Sequence, residues 1–371
     1  MKIIYLDNAA STKIPDKVAK NVYEKMIKFY GNPSSAHSIG EAAKKEFEKA
    51  KASLASLINA KPWEIIITSG GTESNNLAII GAARASGRKK IIISSIEHSS
   101  VYEAAMHLKD EGYEVKIIPV DKNGLVNINA LENEIDRNTA IVSIIHVNGE
   151  TGAIQDIERI GGICLKKGAI FHTDAVQSYG RIKIDVKKMN ISLLSAGGHK
   201  VGGPNGVGFI FIKEGTPVEP IMYGGKQQKG MRSGTENVPG AAGFAMAASL
   251  KYMNKNERTI KEIRDYFINK VEKIGGKWNG SDKNTVYSHA HVTFNGIDGD
   301  SLVAYLSSKG IMCSRGSACE TNKEEKRILK SLGLNEIESK GSVRFVFSEE
   351  INRKDVDYVI RNISKFIRMH S

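Results

Sequence analysis

Short, almost wholly apolar runs alternate with amphipathic helical stretches through the first 250 residues of this 371-residue chain. Strands are expected at 64–68 (EIIIT), 90–94 (KIIIS), 114–118, 140–146 (AIVSIIH) and 169–173, and helices at 72–85, 98–111, 128–135 and 157–167. A strand that is apolar on both faces must be covered on both faces. Its alternation with helices therefore points to βαβ units and an α/β fold, a mostly parallel sheet flanked by helices. Such sheets hold ligands beyond the carboxyl ends of their strands. The residues that follow each strand therefore carry the functional reading.

Past about residue 250 the alternation fades. A basic helical stretch leads to short strands at 287–294, a helix at 299–309, a loop at 313–319, a strand at 342–347 and a final helix from 353. This reads as a smaller α+β domain. No low-complexity linker separates the two parts, so they are expected to pack closely.

Composition excludes several classes. Charged residues make up 25% and apolar residues 41%, an ordinary globular balance. No apolar run reaches the roughly 18 residues of a membrane span, and no leader peptide is recognisable, so no membrane partner is expected. Three cysteines, Cys164, Cys313 and Cys319, do not make a disulfide framework and suggest a reducing, cytoplasmic setting. With no CxxC pair, no metal site is expected. The net charge of +12 is spread over helices rather than clustered, which argues against nucleic acid.

Three segments at strand ends carry chemistry. Residues 69–74 (SGGTES) open a helix, where backbone N–H groups can hold a phosphate. Asp174, in 172–177 (HTDAVQ), could hold a cationic ring nitrogen or cap the next helix. Lys200, beside His199 in the glycine-rich run 195–204, is placed for a Schiff base. Phosphate loop, carboxylate and lysine are the three groups that pyridoxal phosphate needs.

From here the chain resembles the cysteine desulfurases that serve iron–sulfur assembly, in the class V aminotransferase superfamily of fold-type I pyridoxal-phosphate enzymes. The resemblance runs through 5–10 (YLDNAA), 31–37 (GNPSSAH), 71–74 (GTES), 97–98 (EH), 146–148 (HVN), 174–177 (DAVQ), 199–200 (HK), 231–235 (MRSGT), 315–319 (RGSAC) and 342–345 (SVRF). It implies a large cofactor-binding domain over 15–250. A small domain would combine 1–14 with 251–371 and carry the Cys319 loop. Lys200 would bind the cofactor aldehyde, Asp174 the pyridinium nitrogen and Gln177 the phenolic oxygen. His98 would stack on the ring and move protons. Gly71, Thr72 and His199 would hold the phosphate, and Thr235 would reach the partner subunit's cofactor in a homodimer. Arg344 and Asn148 would bind the substrate, L-cysteine. Cys319 would take its sulfur as a persulfide, leaving alanine, and pass it to a sulfur acceptor or iron–sulfur scaffold protein.

The remaining cysteines, Cys164 and Cys313, are expected in the core. Arg315 is expected to lower the pKa of the Cys319 thiol, and the charged run 320–327 to form a mobile, solvated loop.

The chain departs from the family pattern at three positions. Gly149 replaces a second asparagine, Gly197 a serine, and Gly202 an aromatic residue. Restoring Asn at 149 is expected to help cofactor binding more than restoring Ser at 197, where neighbouring Gly198 suggests unusual dihedrals. The alternatives are a related lyase resembling selenocysteine lyases and a non-catalytic scaffold that keeps the fold.

Overall fold

The computed structural model describes residues 2–253, 256–315 and 322–370 of the chain, with the side chains of 322–324 outside that description. Its centre is a seven-stranded sheet in the order Ile65–Thr68, Gly208–Ile212, Leu193–Gly197, Ile170–Asp174, Thr139–Ser143, Lys90–Ser94, Glu114–Ile118. All pairings are parallel except the two made by Gly208–Ile212. That strand follows its neighbour closely and returns directly, as only an antiparallel partner can.

Side chains alternate across each strand, and the alternation builds two cores. Ile65, Ile67, Ile92, Val142, Leu194, Phe209 and Phe211 face one side, against Leu54 of helix Ser38–Ser56, Ile160 of helix Ile157–Lys167 and Phe244 of helix Val238–Met253. Ile66, Ile91, Ile93, Ile141, Leu193 and Ile210 face the other, against Leu77 and the helix Ser99–Asp110. The result is the expected α/β sandwich. Local signals set the boundaries. Asp156 caps Ile157–Lys167 by accepting from Arg159 N–H, and Gly168 ends it in the left-handed conformation at φ 68°.

The C-terminal part forms a three-stranded antiparallel sheet in the order Ser342–Val346, His289–Phe294, Gly276–Trp278. The N-terminal strand Ile4–Tyr5 joins it by pairing in parallel with Ile311–Met312, and Asp7 bridges to Val346. Ile4 and Leu6 belong to the same core as Phe267, Val292, Phe345 and Val359. Cys164 and Cys313 are both buried in cores, as expected.

One expectation is corrected. Helix Asn322–Ser331 occupies most of the charged run that was expected to be a solvated loop; residues 320–321 lie outside the described residues. Ile328, Leu329 and Leu332 are buried and pack with Ile96 and Ile145, so the i, i+3, i+4 spacing of Leu332 to the other two builds an apolar face that outweighs the charge around it. Among the described residues no helix is long and apolar enough to cross a membrane.

Candidate active site

Beyond the carboxyl ends of the parallel strands lies a cavity of about 260 Å³. Gly71, Thr72, His98, Asp174, His199 and Lys200 line it, together with Asn148, Gln177 and Arg344. Nine of the expected site residues thus come together. Thr235 does not join them, being exposed and absent from the cavity lining, and Cys319 lies outside the described residues.

Asp174 ends its strand with its carboxylate turned into the cavity wall. Its Oδ1 accepts from Val176 N–H at 2.9 Å and its Oδ2 from Asn75 Nδ2 at 2.8 Å. The same Asn75 nitrogen donates to Ser100 Oγ at 2.8 Å, and Ser100 Oγ lies 2.7 Å from His98 Nδ1. Ser100 N–H also donates to that nitrogen, at 3.1 Å. His98 Nδ1 is therefore an acceptor, and its ring proton sits on Nε2. A single chain of hydrogen bonds joins the carboxylate to the imidazole. Sequence reasoning missed Asn75; its only signal is its place four residues beyond Gly71 on the same helix.

Lys200 lies in a tight turn after the strand Leu193–Gly197. Its Nζ donates to the carbonyls of Ala9 at 2.6 Å and Ala10 at 2.8 Å. Burial, reinforced by the charges of Arg344 and Arg181, pulls its pKa down to about 8. About a tenth is then the free amine at pH 7 and about half at pH 8, far more than at the ordinary lysine value, as a nucleophilic lysine requires. His199 is held neutral, its pKa lowered to about 4 by burial and by Lys200.

At the other end, Gly71–Asn76 starts a helix that continues through a wide turn, Leu77–Gly81, to Ala82–Ala85. A Cβ at Gly71 would stand 2.6 Å from Val176 Cγ2, so only glycine brings this backbone to the cavity. Glu73 accepts from Ser69 N–H at 2.8 Å and from Arg232 Nε at 2.9 Å. Arg232 anchors the segment whose Thr235 points outward.

Asn148 is mostly committed to its own loop. Its Oδ1 accepts from Glu150 and Thr151 N–H, each at 3.0 Å, and its Nδ2 donates to Ile96 carbonyl at 3.1 Å. At most one N–H remains for a substrate. Arg344 reaches the cavity from the three-stranded sheet. Its guanidinium donates to Gly149 carbonyl, Glu150 Oε1 and Asp7 Oδ1, each at 3.1 Å. Arg315, expected to lower the pKa of the Cys319 thiol, donates to Asp300 Oδ2 at 2.6 Å and Ser339 carbonyl at 3.3 Å, and its expected partner lies outside the described residues.

The three glycine departures divide. Gly202 has φ +84°, which disfavours any side chain. Gly197 is extended at φ −132°, ψ 135°, and a Cβ there would meet nothing closer than 3.6 Å. A Cβ at Gly149 would lie 3.4 Å from Gln177 Nε2. The unusual dihedrals expected at 197 are not found, because the backbone there is ordinary, and a Cβ has ordinary contacts at both sites.

A sequence profile of the family described as "Aminotransferase class-V" matches residues 4–359. "Cysteine desulfurase IscS" of Methanosarcina thermophila is 39% identical over 373 residues, covering 99% of this chain and 92% of the relative. A solved "NifS-like protein" superposes with a TM-score of 0.94 at 32% identity, covering 99% of this chain and all of that one. A structure described as "SspA in complex with cysteine" gives 0.83 at 32% identity over 93% of this chain and 98% of its own. The chain belongs to the class V aminotransferase family, within its group of cysteine desulfurases.

Proposed function

We propose that the protein is a pyridoxal-phosphate-dependent cysteine desulfurase, converting L-cysteine to L-alanine and passing the sulfur to an acceptor for iron–sulfur or thio-cofactor synthesis. The observation that carries the reading is one cavity holding both a buried carboxylate, Asp174, and a lysine, Lys200, whose amine is half unprotonated near pH 8. The donor set fits pyridoxal phosphate. A glycine-lined helix start suits its phosphate, Asp174 its ring nitrogen and Lys200 its aldehyde. When bound, that group supplies an electron sink for the pair left behind by a departing α-proton.

The chain's own residues do the rest. Arg344 binds the substrate carboxylate through its planar fork, displacing Asp7 or Glu150. Lys200, as free amine, and His98, through Nε2, hold and move protons at the substrate. Asn75 and Ser100 keep the imidazole and the Asp174 carboxylate in register. Cys319, as thiolate, receives the sulfur and carries it as a persulfide to the acceptor.

The reading includes a division into a large cofactor-binding domain over 15–250 and a small domain that brings Arg344 and Cys319. It also includes a cytoplasmic homodimer. Tyr23, Met26, Ile27 and Tyr30 present exposed apolar surface along and just beyond helix Asp16–Lys28, and Thr235 points outward as a residue serving a neighbouring site would. The unbridged Cys164 and Cys313 suit a reducing compartment.

The test is anaerobic incubation of the cofactor-loaded protein with L-cysteine and a thiol reductant. Alanine and sulfide should appear in equal amounts, and Cys319→Ser should lose both while still binding the cofactor. Undiminished sulfide release from Cys319→Ser would overturn the role of that residue; absence of alanine from the wild type would overturn the activity.

A further inference from the structure

Arg181 is a buried cation whose charge helps to lower the Lys200 pKa but whose hydrogen bonds the mechanism above leaves unused. It is 7% exposed. Its partners among the described residues are all uncharged. Nη1 donates to Gln177 Oε1 at 3.1 Å and, at 3.5 Å, to Gln177 carbonyl; Nη2 donates to Asn8 carbonyl at 3.2 Å and Lys200 carbonyl at 2.9 Å. A guanidinium withdrawn from water, hydrogen-bonded only to carbonyl oxygens and with Glu349 acting on it only through space, is costly to keep. Its neighbours show what it does. They are the backbone of Lys200, the N-terminal segment whose carbonyls hold the Lys200 amine, and the Gln177 side chain.

The Gln177 contact sets a direction. A carboxamide turned over looks the same in shape but exchanges donor for acceptor. Arg181 has donors only, so it accepts no arrangement but Oε1 toward itself. Ala9 carbonyl has acceptors only, so it takes Nε2–H, at 2.9 Å. The two locks agree. They leave the amide with its NH2 end beside Gly149, on the cavity side.

We propose that Arg181 is a positioning residue of the cofactor site, which fixes the Gln177 amide so that it presents a donor, not an acceptor, to an oxygen of the bound ring. The inference rests on the pyridoxal-phosphate reading. Arg181 touches no part of the cavity itself; it acts through Gln177, and its contacts to Lys200 and Asn8 keep that lever in place. The sequence hides it among 53 lysines and arginines. Its only mark is its spacing four residues after Gln177.

The test is a double-mutant cycle read as pyridoxal phosphate affinity of the apoprotein, by fluorescence titration, with the visible spectrum of the loaded protein as a second readout. Arg181→Met should raise the dissociation constant about tenfold, the loss of roughly one hydrogen bond and its direction. In a Gln177→Ala background the same change should cost less than about twofold, since the lever has nothing to move. Gln177→Glu should bind the cofactor more weakly than Gln177→Ala, because it turns an acceptor toward the ring. Equal losses from Arg181→Met in both backgrounds would overturn the proposal, as would none in the wild type. Should Arg181→Met fail to fold by circular dichroism, Arg181→Lys carries the test. It keeps one donor for Oε1 and should stay within about threefold of wild type, and a loss as large as that of Gln177→Ala would contradict the proposal. Failure of wild-type apoprotein to take up the cofactor at all would refute the underlying reading instead.

Discussion

Asp174 and Arg344 face the same cavity from different scaffolds. Asp174 ends a central strand of the seven-stranded sheet, and neutral donors hold it, a backbone N–H and the Asn75 amide. Arg344 lies in the three-stranded sheet and is balanced by two carboxylates, Asp7 and Glu150. The first arrangement keeps a charge fixed for a permanent guest. The second stores a charge against internal anions that an incoming carboxylate can replace. A site that binds one ligand tightly and turns over another needs both kinds of wall.

The largest effect should come from breaking the second wall. Arg344→Met leaves the buried Glu150 and the half-buried Asp7 without their cation, a change that costs about 3–5 kcal/mol for a buried pair. Urea unfolding should show that loss. Arg344→Lys keeps the charge but not the fork. It should raise the KM for cysteine about tenfold while leaving the visible spectrum of the bound cofactor unchanged. A changed spectrum with an unchanged KM would mean that the two walls are not separable.

The phosphate end of the fixed wall offers a milder change. Gly197→Ser adds a hydroxyl where a Cβ has ordinary contacts, 3.6 Å from Gly71 N. It should tighten pyridoxal phosphate binding by about threefold to tenfold. Gly149→Asn builds against Gln177 and should gain less. Titration of the two apoproteins decides, and a larger gain at 149 would uphold the ranking drawn from sequence.

Much of this was legible in the chain. Apolar strands separated by helices gave the sheet, and looking just past the strands led to Asp174, Lys200 and Gly71. What was not legible follows from the kind of information involved. Gly208–Ile212 looks like its parallel neighbours, and only its direct return reverses it. Ala9 and Ala10 hold Lys200 through backbone carbonyls, which no side-chain pattern reports. Asn75 and Arg181 act through other residues, so their types say little without the contact. The burial of helix Asn322–Ser331 against Ile96 overrode a charged run that reads as loop.

The fixed wall also carries a pH dependence of its own. Glu97, beside His98, accepts from Ser94 hydroxyl and, at 2.8 Å, from Ile145 N–H. Burial lifts its pKa from 4.5 to about 8, with Asp174 adding to the rise and Arg327 opposing it. The folded protein thus keeps a proton that the unfolded chain has released. Stability from this group is fully present below the unfolded value and is lost as the pH rises through about 8. Glu97→Gln keeps both acceptor contacts and cannot ionise. Its urea midpoint should fall less between about pH 6 and pH 9 than that of the wild type. Identical slopes would show that Glu97 is ionised throughout.

The central claim is that Lys200 is the lysine of a pyridoxal-phosphate site, made reactive by its surroundings. The most direct measurement is the absorbance that develops near roughly 410–430 nm when apoprotein meets pyridoxal phosphate, followed across pH in wild type and Lys200→Ala. Burial and the facing charges of Arg344 and Arg181, opposed by Asp7 and Asp174, place the lysine near 8 rather than its usual 10.5. The rate of appearance in the wild type should therefore rise with a midpoint near pH 8, and Lys200→Ala should show no band. An undiminished band in Lys200→Ala, or a wild-type midpoint at the ordinary lysine value, would contradict the account.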